Sequence, residues 1–364
     1  MRVATRALVW SSGLFGLLCV TVLVSAGLGA VRVDVPTVAR ATLNTLGVPT
    51  GLSVAFSDAT VAGLSVPAPD VDISYTSIFS FDVPETEQLI VGRLRLPRIV
   101  LGAVVGFGLS TAGAVMQGFF RNPMADPSII GVSSGAAVGA VAVIAFSLSA
   151  PLQVAAFTSA LVTAFFVYVI ATEEGRTPVA TLLLAGVAVQ TFLGALISYM
   201  LLQSGNSMKQ VVVWLMGHLN NSQWSEVEIT LPLTLLLFVA LLAYARDLNV
   251  MLLGEEDAHA LGIDVEWTKR ILLGGSAVIT AVGVAVAGPI GFVGLVVPHV
   301  MRLVVGPDHR ILIPTSALAG ATFLVLADTV ARAGPAEVPV GIVTAAVGAP
   351  FFLFLLRQRE VHSL

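Results

Sequence analysis

The sequence predicts an all-α integral membrane protein with about ten transmembrane helices, folded as one transmembrane domain over residues 1–364. Of the 364 residues, 56% are hydrophobic and only 11% are charged, whereas soluble globular proteins carry about 25% charged residues. Long windows of the chain contain no charge at all. Because a helix needs about 17–25 apolar residues to cross a bilayer, these windows locate the membrane spans.

Eight charge-free windows give ten spans. The window 127–172 is too long for one helix and breaks at Ser149-Ala150-Pro151. The window 271–301 contains Gly288-Pro289 and Gly291, and we divide it into one full helix and one short helix. The eight windows are 7–31, 99–120, 127–172, 177–208, 229–245, 271–301, 311–327 and 338–356.

The first window also resembles a secretory signal peptide. Arg2 and Arg6 precede its apolar core, and mostly small residues follow the core at 25–30. An uncharged run of 25 residues is long for the core of a cleaved signal. The length therefore favours a retained helix over a cleaved one.

The loops indicate which ends of the spans face the cytoplasm. With the N-terminus inside, ten spans place the loops 172–178 and 246–270 in the cytoplasm. The short outer loops contain only two basic residues, Lys209 and Arg332, in keeping with the positive-inside rule. Residues 31–92 form the longest outer segment, which we expect to be irregular with a short helix. The sequence therefore predicts a multi-pass protein of the cell membrane.

The loop Arg246–Arg270 concentrates charge between two apolar windows. Nine of its 25 residues are charged, which makes it too polar to cross the bilayer. Its middle predicts a short helix with Leu253, Ala258 and Leu261 on an apolar face. We expect this cytoplasmic loop to be a surface for a partner protein.

Three arginines lie at the outer mouth of the second span, at Arg93, Arg95 and Arg98. One interpretation makes them interfacial anchors that extend towards water. The other makes them a docking site for acidic side chains of an external partner. The positive-inside rule disfavours an outer cluster of this kind, which favours the second interpretation.

Several kinds of chemistry receive little support. Cys19 is the only cysteine, so no intramolecular disulfide or cysteine metal site forms, and we predict no metal site or cofactor. No G-x-x-x-x-G-K-[ST] pattern is present, so the chain cannot bind ATP phosphates itself. Gly131–Gly135 matches the G-x-S-x-G of serine hydrolases, with His299 as a possible base, but that motif needs an α/β sheet. An ion-coupled secondary transporter is a further alternative, although few ionisable groups lie in the spans.

The most specific stretches are RLPR, GAVMQGFFRNPMADPSIIGVSSGAAVGAV, LLLAGVAVQ, WLMGHL, LGEEDAHALGID, GPIGFVGLVVPHVMRLVVGPDHR, ALAGATFLVLADTVAR and EVPVGIVTAAVGAPFFLFLL. Together they resemble the permease family of ABC importers for iron chelates, haem and vitamin B12. The resemblance covers residues 93–357 almost continuously. Residues 31–92 are longer than the usual outer loop of that family.

The resemblance implies a ten-helix permease of the type II importer fold. We expect it to contact membrane lipid and not to bind nucleic acid. A second copy or a paired permease would share the pathway. Two ATPase subunits inside would bind ATP and Mg, so this chain is a transport subunit and not an enzyme, and a substrate-binding protein would dock outside. The last hundred residues resemble the vitamin B12 permease most, so we expect cobalamin, with a ferric siderophore or haem as the alternative.

The resemblance also assigns residues to roles. Arg95, Arg98 and Arg332 match outer arginines that pair with glutamates on the two lobes of the binding protein. The stretch Gly254–Gly262 matches the loop that fits a cleft in the ATPase, with the expected contacts Glu255, Glu256, Ala258, Leu261 and Gly262. Val179 and Ala180 fall where related importers place an inner gate, although those importers use small polar residues there.

Overall fold

The computed structural model describes residues 3–360 apart from residues 30, 46, 62–63 and 335. This described part of the chain contains fifteen α-helices, one two-stranded hairpin, a π-helical turn at Ile90–Arg95 and 3₁₀ turns at Pro127–Ile130 and Gly205–Ser207. The helices are α1 (Val3–Gly27), α2 (Val35–Asn44), α3 (Glu85–Leu89), α4 (Leu96–Phe119), α5 (Val132–Phe146), α6 (Leu152–Ala171), α7 (Val179–Gln203), α8 (Met208–Leu215), α9 (Trp224–Ala243), α10 (Ala245–Met251), α11 (Glu255–Ala260), α12 (Val265–Ala287), α13 (Val293–Val305), α14 (His309–Ala331) and α15 (Val340–Glu360).

The predicted spans correspond to helices of this structure. Among the described residues, seven helices are long and apolar enough to cross a membrane, and three shorter apolar helices accompany them. The divided windows separate where the sequence predicts: α5 ends before Pro151, and α12 ends before Gly288. The polypeptide between α12 and α13 leaves the helical conformation at membrane depth, which a bilayer tolerates only where protein or a cavity surrounds it.

The expectation for residues 31–92 is wrong in its main part. Instead of an irregular insertion, the segment contains α2 and an antiparallel hairpin of β1 (Gly47–Val61) and β2 (Leu64–Ser77). Both strands contain several Val and Thr, which favour extended structure. Pro67 and Pro69 lie in β2, where a two-stranded ribbon tolerates proline because each strand is an edge.

The core of the bundle forms around α4, whose residues are nearly all buried against α12, α13 and α14. Two glycines of α4 explain this close packing. A Cβ atom at Gly106 would collide with the carbonyl oxygen of Gly320, and one at Gly113 with that of Gly294. Small residues let membrane helices approach backbone to backbone, which strengthens dispersion contacts where no hydrophobic drive operates.

Contacts at the two ends of the bundle group the loops as the predicted sidedness requires. At one end, Arg6 Nη2 donates to the carbonyl oxygen of Val305 at 3.1 Å, and Asn249 Nδ2 donates to Asp308 Oδ1 at 2.7 Å. At the other end, the hydroxyls of Ser25 and Thr329 lie 2.6 Å apart. The charged loop therefore shares one end with α1's N-terminus, and the outer arginines share the opposite end with α1's C-terminus.

Candidate functional site

The outer arginines form a buried cluster around one carboxylate. Asp328, in the last turn of α14, is only 1% exposed. Its Oδ1 lies 2.9 Å from Arg98 Nη2, and its Oδ2 lies 3.0 Å from Arg332 Nε. Arg98 Nη1 also contacts Glu337 Oε2 at 3.1 Å, at the exposed edge of the cluster. One carboxylate thus fixes the start of α4 against the end of α14.

Arg95 is the third predicted docking residue, and it is 7% exposed. Its Nη1 donates to the carbonyl oxygen of Ala26 at 2.6 Å, and its Nη2 donates to the carbonyl oxygen of Val31. Carbonyls at a helix end have no partner within the helix, so a cation there is favourable. Arg95 therefore holds the C-terminus of α1, and no carboxylate among the described residues forms an ion pair with it.

The three arginines line one cavity of about 570 Å³ at the outer end of α1, α4 and α14. Arg32 lines the same cavity, so four guanidinium groups and the two carboxylates of Asp328 and Glu337 leave a net charge of +2 there. The cavity could receive an anionic group, since its surplus positive charge lies in a partly desolvated site where charge interactions are strong.

The charged inner loop folds into α10, α11 and the start of α12. Glu255, Glu256, Leu261 and Gly262 are exposed, whereas Ala258 is buried. Gly262 adopts a left-handed conformation (φ +85°) that ends α11, and the amide of Ile263 then donates to the Ala258 carbonyl at 3.1 Å.

The expected apolar face of the loop helix is present only at Ala258. Leu253 and Leu261, which flank α11, are 66% and 65% exposed. Their side chains meet water because α11 spans only Glu255–Ala260 and both leucines lie outside it. Two leucines project from an acidic surface, which is the composition of a contact area for another protein.

The predicted gate residues lie at the first turn of α7. Val179 is half-buried and Ala180 is exposed, directly after the N-cap residue Pro178. Thr177, just before them, is buried, and its hydroxyl lies 3.1 Å from that of Thr172. The predicted gate position thus follows a short loop that this hydroxyl contact helps to close.

Sequence reasoning assigned no role to two charged residues that the structure places at the centre of these sites. Asp328 ends an apolar window four residues before Arg332, and that spacing on a helix was an available signal. Lys269 is 2% exposed and contacts Glu255 Oε2 at 2.7 Å and Glu266 Oε1 at 3.0 Å. No spacing in the sequence indicates that Lys269 also reaches Thr177.

The hydrolase hypothesis finds no structural support in the described residues. Ser133 is the second residue of α5 and follows a 3₁₀ turn, not a strand. The described strands form only the outer hairpin.

Comparison with known proteins identifies close relatives over the whole chain. The model of the FecCD transport family matches residues 58–358. The chain is 57% identical to a cobalamin import system permease protein of Halobacterium salinarum, over 100% of both chains. It is 41% identical to a hemin transport system permease protein of Yersinia pestis, over 80% of this chain and 91% of that protein.

A solved structure has the same architecture. It is described as an inward-facing conformation of a transporter classed as a metal-chelate type ABC transporter. Its superposition with this chain gives a TM-score of 0.77 at 31% identity and covers 96% of this chain and 98% of the other.

Proposed function

This chain belongs to the FecCD transport family, and we propose that it carries cobalamin across the cell membrane as the permease of an ATP-driven importer. The chain is a multi-pass ABC permease, and our proposal concerns the identity of its substrate. The observation that carries it is the 57% identity with a cobalamin permease over the full length of both chains. The haem permease matches less closely and leaves a fifth of this chain uncovered.

Uptake of radiolabelled cobalamin tests the substrate. Cells that lack this chain should lose uptake, and a plasmid copy should restore it. Uptake of labelled haem and of a ferric siderophore is measured in the same cells. If cobalamin uptake is unchanged on deletion while one of the iron compounds is lost, the substrate is that iron compound.

The inner loop supports a contact with an ATPase subunit. Glu255, Glu256, Leu261 and Gly262 are exposed at the end of the bundle where Arg6 contacts the carbonyl oxygen of Val305. Ala258 is buried beneath them and attaches α11 to the bundle. In this proposal two ATPase subunits bind ATP and Mg, one on each of two permease copies, and they move α11.

The outer cavity supports docking of a substrate-binding protein. Arg95, Arg98 and Arg332 line a concave site that, with Arg32, has a net charge of +2, so glutamates of the binding protein would enter the cavity rather than meet a flat surface. Asp328 and Glu337 already accept hydrogen bonds or ion pairs from the guanidinium groups of Arg98 and Arg332. An incoming carboxylate therefore gains most from Arg95, whose partners in the described part of the chain are two carbonyl oxygens.

A second copy of the chain would complete the pathway along α7. This helix is among the least buried spans of the chain, and Thr191 and Ser198 are exposed on it. Their hydroxyls donate to the carbonyls of Val187 and Gly194 of the same helix, and small hydroxyl residues of this kind are typical of helix–helix interfaces in membranes. We place Val179 and Ala180 at the inner end of this pathway as its gate.

A further inference from the structure

Lys269 occupies a junction of three separate segments at the inner end of the bundle. Its Nζ lies 2.7 Å from Glu255 Oε2 on α11 and 3.0 Å from Glu266 Oε1 on its own helix α12. It also donates to the carbonyl oxygen of Thr177, which precedes α7, at 3.4 Å. An ammonium group has three N–H donors, so each donor has an acceptor from a different segment.

Burial makes this junction hard to open. Lys269 is 2% exposed and Thr177 is 1% exposed, and a buried ammonium is costly unless it is paired and hydrogen-bonded. If α11 moved while Lys269 stayed, the Glu255 contact would break and leave the cation less compensated. A displacement of α11 is therefore opposed unless Lys269 and the Thr177 loop move with it.

We propose that Lys269 is a positioning residue that transmits movement of α11 to the start of α7, where Val179 and Ala180 lie. This inference rests on the proposed function, in which an ATPase subunit moves α11. The ammonium connects Glu255, on the surface that the ATPase would bind, with the carbonyl oxygen of Thr177, two residues before Val179.

The residue type supports this role. Lys209 and Lys269 are the only lysines, and the remaining basic side chains are arginines apart from histidines. The tetrahedral ammonium can address three acceptors in three directions, whereas the guanidinium of arginine is a planar fork. Arginine at position 269 would keep the charge but would not reproduce all three contacts.

Labelling of a single cysteine tests the transmission without depending on the transported substrate. Cys19→Ser removes the only cysteine, and Ala180→Cys then reports exposure of the gate position to a maleimide. The permease is purified with its ATPase in lipid nanodiscs. We expect ATP to change the labelling rate about tenfold when Lys269 is present, since residues that couple two sites contribute effects of this order.

The test variant is Lys269→Met combined with Glu266→Gln, which removes the connection without leaving a carboxylate unpaired on α12. It should still bind the ATPase and hydrolyse ATP, but ATP should no longer change the labelling rate. Lys269→Arg should retain only part of the change. Arg270→Ala, which removes an exposed cation one residue further along α12, should behave as the parent.

Three outcomes overturn the inference. The first is a double variant in which ATP still changes the labelling rate as in the parent, and the second is the same result in Lys269→Arg. The third is a double variant that loses both the ATP effect on labelling and the binding of the ATPase, which would make Lys269 a structural residue only. Lys269→Arg carries the test if the double variant does not fold. Failure of the parent chain to bind an ATPase would instead refute the proposed function, so the two failures are distinguishable.

Discussion

Asp328 shows how one buried carboxylate can organise the outer end of the bundle. It pairs with Arg98 of α4 and with Arg332 after α14, and Arg332 Nη2 also donates to Ser25 Oγ of α1 at 2.8 Å. Three helices thus meet through two arginines and one acid. The same arginines line the proposed docking cavity, so their structural role and their docking role share one set of donors.

Asp328→Asn should therefore be strongly destabilising. The change leaves two nearly buried guanidinium groups with only Glu337 as a charged partner, and loss of one member of a buried ion pair costs about 3–5 kcal/mol. Thermal unfolding of the purified permease should show a clear fall in midpoint. Glu337→Gln is the matched control, because half of the Glu337 side chain is exposed and exposed pairs contribute about 1 kcal/mol or less. Equal midpoints for the two variants would contradict the organising role of Asp328.

Arg95→Gln tests docking more cleanly than charge reversal of all three arginines. Reversal of Arg98 and Arg332 would place acids beside the buried Asp328 and unfold the outer end, whereas glutamine at 95 removes the charge and introduces no acid there. We expect the affinity of the binding protein for the permease complex to fall about tenfold, because a partly desolvated charge contact is lost. Arg93→Gln is the control, since Arg93 is exposed and does not line the cavity. Equal affinities in both variants would remove Arg95 from the docking site.

At the scale of elements, the sequence predicts the spans well and the outer segment poorly. Bilayer thickness imposes a strong constraint on apolar length, so the windows and the breaks near Pro151 and Pro289 correspond to helix boundaries. Strand signals are weaker, and the hairpin at 47–77 lies where proline and aspartate obscure alternation. The contacts of Lys269 and Asp328 depend on how α4, α7, α11 and α14 pack, which no local pattern encodes.

The exposed leucines beside α11 give a test of the coupling surface. Replacement of both Leu253 and Leu261 by alanine should weaken binding of the ATPase subunit about tenfold, because the complex would bury less apolar surface, which contributes about 25 cal/mol per Å². Copurification or titration with the ATPase measures the effect. Leu303→Ala is the matched control, since Leu303 is 70% exposed at the same end but lies on α13. If the ATPase binds the double variant as it binds the parent, the coupling surface lies elsewhere.

At the scale of the whole molecule, the hairpin is separable from the transport bundle. Its two strands contact chiefly each other, although the family model matches from residue 58 onward and so includes the end of β1 and all of β2. The base of the hairpin is closed independently, because Asn44 Nδ2 donates to the Phe81 carbonyl at 2.9 Å and the Phe81 amide donates to Asn44 Oδ1 at 2.7 Å. The proposed docking cations, the gate and the coupling loop all lie in the bundle.

Deletion of residues 47–77, with a short glycine-serine linker in their place, should therefore leave the permease folded and active. Gly47 and Ser77 are paired across the ribbon, so a short linker joins the ends at a small entropic cost. We expect ATPase binding and cobalamin uptake within about twofold of the parent, since the removed strands contribute little to the packed core. Asn44→Ala is the informative control, because it opens the base while the hairpin stays. After the deletion, the complex could still assemble and hydrolyse ATP but no longer import cobalamin. That result would show that the hairpin itself holds the binding protein, and the docking proposal for Arg95 would then have to be extended beyond the cavity.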